Sequence, residues 1–192
     1  DFRQRHAPTN LEIKRQIKAI DYRHVQLDEK KQTIRFTHPN VMVDLGGIAK
    51  GYAVDQGVRI LEQAGVQYAR LSAGGDMRLL GDKKGKPWIV GVKDPRPTLK
   101  TKGHAVALPL SDVSLSTSGD YERFFIDDKG ERVHHIISPK TGRSATGVQS
   151  VSVIGPDTIT TDGLSTAIFV LGIEKGLALV NRLEGIDVIM ID

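Results

Sequence analysis

The chain has 192 residues, 39% hydrophobic and 26% charged, with no cysteine, and its 27 Lys plus Arg exceed its 23 Asp plus Glu for a net charge of +4. That length supports one domain with a substantial core, and the missing cysteines exclude disulfides and thiolate metal sites. The surplus is mild and scattered, with small groups at Lys83, Lys84 and Lys86 and at Lys100 and Lys102, which reads as a solvated surface rather than a nucleic-acid interface.

No apolar run approaches the roughly 18–20 residues of a membrane span. A cysteine-free chain suits the cytoplasm and the periplasm equally. No signal peptide is read at the start, and a chain opening on Asp1 is expected to be a fragment or a mature portion of something longer.

In chain order, LEIKRQIKAI carries Leu11, Ile13, Ile17 and Ile20 near helical spacing, with Asn10 as the expected N-cap. YRHVQLD, QTIRF and VMVDL read as strands. The stretch after Asp44, LGGIAKGYAVDQGVRILEQAG, predicts a helix ending at Gly65. YARLSAGGDMRLLG predicts strand, Gly-Gly turn, strand. WIVGV, HAVALPL and DVSLSTS follow as strands, then RFFID and RVHHII around the turn DDKG. SPKTGRSATG is a loop and VQSVSVIG a strand. A helix is expected from Thr160 or Thr161 to Leu171, a second over EKGLALVNRL, and a last strand over IDVIMID. Antiparallel strands with a few packed helices predict an α+β fold. No linker divides it, so residues 1–192 are expected to form a single domain.

Four stretches carry groups suited to chemistry. In VDLGGIAKGYAVD a strand-like segment ends at Asp44, two glycines follow and a helix starts, with Lys50 one turn in. Bare backbone and a helix N-terminus suit a phosphate, although neither G-x-x-x-x-G-K-[ST] nor G-x-G-x-x-G is present. The same residues also suit a plain strand-to-helix turn with a surface lysine. In LSAGGDMRLLG the pair Gly74–Gly75 fits a hairpin turn or a ligand pressed on bare backbone.

In HHIISPKTG, strand alternation sends His134 and His135 to opposite faces. One is expected packed and one exposed, and one of them is a candidate acid or base. No H-E-x-x-H pattern supports a zinc site. In TTDGLSTAIFVLG, Asp162 and Thr166 share a helix face at i and i+4. A carboxylate and a hydroxyl suit Mg²⁺ or Ca²⁺. Taken alone, a simpler account is that Asp162 caps the helix and Thr166 bonds back to a carbonyl.

VDLGGIAKGYAVD, SAGGD, SGDYERFF, HHIISPKTG and TTDGLSTA, in this order, resemble the ApbE family of flavin transferases over nearly the whole chain. The resemblance implies an α+β, T-fold-like architecture and an FAD:protein FMN transferase. Such an enzyme uses Mg²⁺, with FAD as substrate, passes FMN to a threonine or serine hydroxyl of an acceptor protein and releases AMP. The implied acceptors are redox-complex subunits or periplasmic reductases, and the implied compartment is the periplasm or cell envelope.

By the same resemblance, the metal falls between Asp162, Thr166 and the Gly47 carbonyl. Asp44, Lys50 and the backbone at Ile137 contact FAD, and His135 is the base. Ser138 stands where the family usually has aspartate, so one negative charge near the histidine is missing. The family's N-terminal section, which supplies flavin contacts and the export signal, is not matched. Any membrane association would come through an anchor in that section. Two alternatives share these motifs: an FAD pyrophosphatase giving FMN and AMP, and a non-catalytic flavin- or nucleotide-binding module.

Overall fold

A computed structural model describes residues 7–98 and 103–192; Lys100 and Lys102 lie outside the described residues. In chain order the elements are α1 (Asn10–Gln16), β1 (Val25–Asp28), β2 (Thr33–Phe36), α2 (Ala49–Gln63), β3 (Ala69–Ala73), β4 (Asp76–Leu80) and β5 (Trp88–Lys93). They continue with β6 (His104–Leu110), β7 (Ser114–Gly119), β8 (Phe124–Ile126), β9 (Arg132–His134), β10 (Ser150–Gly155), α3 (Thr158–Leu171), α4 (Ile173–Val180) and β11 (Asp187–Ile191). All pairings among the named strands are antiparallel, as an α+β fold requires.

The chain divides into two compact units. One takes Asp1–Asp44 with Glu122–Ala145, the other Leu45–Tyr121 with Thr146–Asp192. The first unit holds α1, the β1–β2 hairpin and the β8–β9 hairpin. Its helix is capped by Thr9, not by the expected Asn10. The Thr9 hydroxyl accepts the Glu12 N–H while the Glu12 carboxylate accepts the Thr9 N–H, a reciprocal pair of caps. Asn10 instead accepts from Arg143 at 2.6 Å.

Two further segments of this unit depart from the sequence reading. Tyr22–His24 is a 3-10 turn, and the strand starts only at Val25. VMVDL is not a strand: among the described residues, 41–45 form no strand pairing, and Met42 is 91% exposed. Alternating apolar residues make a strand only where a partner and a covering layer exist.

The second unit is built on a five-stranded sheet, β11-β10-β7-β4-β3. Side-chain alternation decides what each face meets. In β4, Met77 and Leu79 join Val90 of the β5–β6 hairpin and Leu115 of β7 in one buried cluster. Leu80, on the opposite face, packs with Val54 and Val58 of α2. The helices therefore cover one side of the sheet and the hairpin the other. Asp76 shares the parity of Leu80 and faces the helices.

β7 presents its serines to α3. Ser114 bonds Thr158 at 3.0 Å, Ser116 bonds Thr161 at 2.8 Å, and Ser118 bonds Ser165 at 2.9 Å and Thr166 at 3.0 Å. These contacts form a ladder of hydroxyl pairs, and Ser114, Ser116, Thr158, Thr161 and Ser165 are fully buried. The apolar content of the interface comes from Val151 and Val153 of β10, which share the helix-facing side by register, and from Ile168 and Phe169 of α3.

The ladder generates a stability test. Thr158→Val keeps the shape of the side chain but leaves the Ser114 hydroxyl without its partner. It should cost about 1–3 kcal/mol, the usual penalty for an orphaned buried polar group. Adding Ser114→Ala should recover much of that loss, since both polar atoms are then gone. Urea unfolding of the parent, the double variant and both single variants, Thr158→Val and Ser114→Ala, checks this; a double variant as unstable as the summed single variants would show that the hydroxyl pair is uncoupled.

Candidate active site

α2 begins without a cap of its own. Its N-cap, Ile48, has no side-chain acceptor, and its first turn has no acidic residue. A helix start leaves N–H groups without intrahelical partners. Here Asp162 of α3 supplies the acceptor, taking the Gly51 N–H on Oδ2 at 3.0 Å. The exchange runs the other way as well. Asp55 of α2 accepts the N–H of Thr158 at 2.9 Å and of Ile159 at 2.8 Å at the start of α3.

Gly51 makes this closeness feasible. A Cβ at that position would stand 2.4 Å from the Thr158 carbonyl oxygen, so the two helix starts meet backbone to backbone.

α3 starts at Thr158, two or three residues before the expected Thr160 or Thr161, and its cap is Asp157, which accepts the Thr160 N–H. The account in which Asp162 caps the helix and Thr166 bonds back to a carbonyl is thereby corrected. Asp162 lies a full turn inside the helix, and the recorded partner of the Thr166 hydroxyl is Ser118.

The other Asp162 oxygen faces Lys50. The ammonium donates to Asp162 Oδ1 at 3.0 Å and to the Gly46 carbonyl at 3.2 Å. It stands 3.0 Å from Asp76 Oδ2 as well. Both carboxylates are 2% exposed. Asp76 Oδ2 has the ion pair but no hydrogen bond of good direction. Burial pushes the Asp76 carboxyl above its usual range and the Asp162 charge adds to this, while Lys50 works in the opposite sense. For Lys50, burial disfavours the ammonium, but its contacts with the Asp162 and Asp76 carboxylates outweigh it, so the pKa rises and the group stays charged.

Gly47 lies in the turn just before α2, and a Cβ there would reach 3.8 Å from Thr166 Oγ1. Thus four of the sequence-selected residues, Gly47, Lys50, Asp162 and Thr166, gather where the glycine turn meets α3. Asp76 completes the cluster and was not selected as a site residue. Its signal was a charged residue between Gly75 and the apolar strand MRLL, at a position where a half-buried strand calls for an apolar side chain. Asp55 was likewise unselected.

Asp44, His135 and Ile137 belong to the first unit. Asp44 is its last residue before the glycine turn and is exposed. Ile137 is 41% exposed and forms an isolated bridge with Ser144. The paired histidines divide as alternation predicts. His134 is buried, with Nε2 2.9 Å from the Ala145 carbonyl oxygen and Nδ1 accepting the Ile136 N–H at 3.3 Å. Both ring nitrogens are engaged, which fixes a neutral, structural imidazole.

His135 is exposed, and its Nδ1 lies 3.3 Å from the Arg123 carbonyl oxygen. A carbonyl only accepts, so Nδ1 carries the proton and Nε2 keeps the basic lone pair. Desolvation lowers the His135 pKa below 6.5, against an upward pull from the hydrogen bond to the Arg123 backbone.

Fold and site define a class first: an α+β protein with a buried acid–lysine cluster between a glycine turn and a helix flank. The ApbE family model matches residues 1–190. An ApbE protein from Thermotoga maritima superposes with a TM-score of 0.88 at 38% identity, covering 99% of this chain and 61% of that one. A flavin transferase ApbE from Vibrio cholerae gives 0.83 at 31% identity, covering 96% and 57%. An FAD:protein FMN transferase from Treponema pallidum is 37% identical over 194 residues, covering 93% of this chain and 53% of the relative. This chain belongs to the ApbE family. It spans about half the length of the curated relatives it matches.

The geometry separates the glycines of the site. Gly51→Ala should destabilise the protein by about 1–3 kcal/mol through overpacking against rigid backbone. Gly47→Ala meets only an ordinary contact and should stay within about 0.5 kcal/mol of the parent. Thermal or urea unfolding of the two variants checks the contrast, and equal losses would contradict the close helix approach at Gly51.

Proposed function

We propose that this chain works as an FAD:protein FMN transferase, with residues 1–192 acting as one functional domain. It would move FMN from FAD to a threonine or serine hydroxyl of an acceptor protein and release AMP. The observation that carries this is the meeting of Gly47, Lys50, Asp162 and Thr166 in a chain of the ApbE family. The relatives named as transferases support it.

The donor set fits a hard divalent cation such as Mg²⁺. Among the described residues, no group of three His, Cys, Asp or Glu would hold a metal by itself. The cluster instead offers a carboxylate, a hydroxyl and bare backbone, and Mg²⁺ commonly takes one or two carboxylates and completes its shell with water and phosphate oxygens. Two buried carboxylates already face one cationic group, the Lys50 ammonium. Asp162, Thr166 and the Gly47 carbonyl would hold the ion. Bound there, it would supply a Lewis acid that neutralises charge on the diphosphate oxygens.

The protein's own groups do the rest. The Lys50 ammonium adds positive charge where the phosphoryl group transfers. Asp44 and the backbone at Ile137 hold the nucleotide. His135 Nε2 takes the proton of the acceptor hydroxyl, whose oxygen forms the new bond to the FMN phosphorus. The bond from that phosphorus to the AMP oxygen breaks, and AMP leaves. A lowered His135 pKa keeps the base neutral below the ordinary histidine range. The acceptor belongs to the cell envelope in this proposal, as a subunit of a redox complex or a periplasmic reductase.

The test is FAD turnover with Mg²⁺, reading AMP by chromatography with and without a threonine-bearing acceptor. AMP that depends on acceptor, and is lost in a folded Asp162→Ala variant, is the expected result. AMP formed equally without acceptor would make the protein a pyrophosphatase. Binding of FAD without any product would make it a binding module.

His135→Ala should slow transfer by roughly 10²–10⁴-fold, the usual contribution of a general base. The sign of the pH effect follows from the lowered pKa. The base loses its lone pair only once pH falls through a value below 6.5, so the acid limb of the rate profile should lie under that value. A limb above it would remove His135 from the role.

A further inference from the structure

Lys50 holds a position that a metal on Asp162 would contest. Its ammonium lies 3.0 Å from one oxygen of Asp162 and 3.0 Å from one oxygen of Asp76. Two buried carboxylates on one ammonium leave a net negative charge in a poorly solvated place, which calls for more positive charge. A divalent ion on Asp162 would answer that need. It would also repel an ammonium bonded to the same carboxylate.

Lys50 has somewhere to go. Its side chain is 41% exposed, so the head is not locked in. Asp76 Oδ2 has no directed hydrogen bond and retains capacity to accept one. The stem lies across Gly74, where φ is +60° and a Cβ would come within 3.2 Å of Lys50 Cδ. The bare glycine thus leaves a path for the aliphatic stem beside the Asp76 carboxylate.

We propose that the Lys50 ammonium is a resident placeholder for the divalent cation, and that Asp76 is the positioning residue that receives the ammonium when the cation takes Asp162. The inference rests on the metal reading given under Proposed function. It adds an exchange: cation binding moves Lys50 from a bond shared between two carboxylates to a bond with Asp76 alone. Asp76 then acts through Lys50 and is not itself a metal ligand.

Direct binding of Mn²⁺ to the FAD-free protein, followed by electron paramagnetic resonance, tests this. Lys50→Met removes the competitor and should tighten Mn²⁺ binding by about ten-fold, within the range usual for coupled sites. Asp76→Asn should weaken Mn²⁺ binding more in the parent than on the Lys50→Met background, because beyond its negative charge Asp76 acts through the lysine. This is a double-mutant cycle with a defined sign.

A second readout needs no substitution in the measured protein. The Lys50 Nζ signal in a lysine-labelled sample, assigned by its absence in Lys50→Arg, should shift during Mg²⁺ titration. Unchanged Mn²⁺ affinity in Lys50→Met, with binding still abolished by Asp162→Ala, would overturn the placeholder and leave the metal site standing. An Asp76→Asn loss of equal size on both backgrounds would overturn the positioning role. An Nζ signal that stays put through saturation would overturn the exchange. Failure of the parent and all variants to bind Mn²⁺ would overturn both the exchange and the metal reading.

Discussion

Asp162 of α3 accepts the Gly51 N–H of α2, while Asp55 of α2 accepts the N–H groups of Thr158 and Ile159 in α3. Each helix supplies a carboxylate acceptor to N–H groups at the other's start. Charged acceptors on helix N-termini are favourable through both the hydrogen bond and the helix dipole. The arrangement forces the two helix starts together, and only a residue without Cβ tolerates the crossing at Gly51. Lys50 precedes Gly51 by one residue, so the same crossing carries its ammonium to Asp162. The acid–lysine cluster is thus a by-product of how two helices satisfy their backbones.

The hydroxyl ladder sets α3 along its other flank. An apolar interface would tolerate small slides of a helix on a sheet, because dispersion is not directional. Paired hydroxyls at Ser114–Thr158, Ser116–Thr161 and Ser118–Ser165 fix both the height and the rotation of the helix. Ser118 also bonds Thr166, so the last rung reaches a site residue directly. Serine is not among the β-branched and aromatic residues that favour strands. Its use at alternate positions of β7 is explained by what those positions face. The intervening Leu115 belongs to the apolar cluster on the opposite side of the sheet.

Much of this was legible in the amino-acid sequence, and the exceptions share a cause. The α2 helix, its end before Gly65 and the β3–β4 hairpin at Gly74–Gly75 follow from local period and local backbone freedom. Asp162 and Thr166 are read together because helical spacing puts them on one face, and both lie on α3. Asp76 was missed because its partners, Lys50 and Asp162, are remote in sequence, and no local pattern announces a meeting of three elements. VMVDL failed for the same reason in reverse: its alternation is real, but among the described residues no strand pairs with it. Thr9 displaced Asn10 as a cap because Glu12 stands at the third helical position from Thr9 and returns its bond. The Asp162 cap reading failed because Asp157, five residues earlier, takes that place.

Charge balance links the cluster to the ligand proposed for it. Two carboxylates and one ammonium carry one net negative charge. In that state the cluster disfavours a diphosphate, since like charges in a poorly solvated site repel strongly. A divalent cation reverses the sign and leaves one net positive charge, with Lys50 still present to contribute. On the proposed reading, FAD is therefore held only where cation and lysine act together. A cluster with Lys50 but no acids would hold diphosphate without metal and would release AMP poorly. One with the acids but no lysine would hold metal firmly and bring less positive charge to the transferring phosphoryl group. The buried Asp76 shifts the balance between these extremes, because it makes the resting cluster negative enough to draw a cation in.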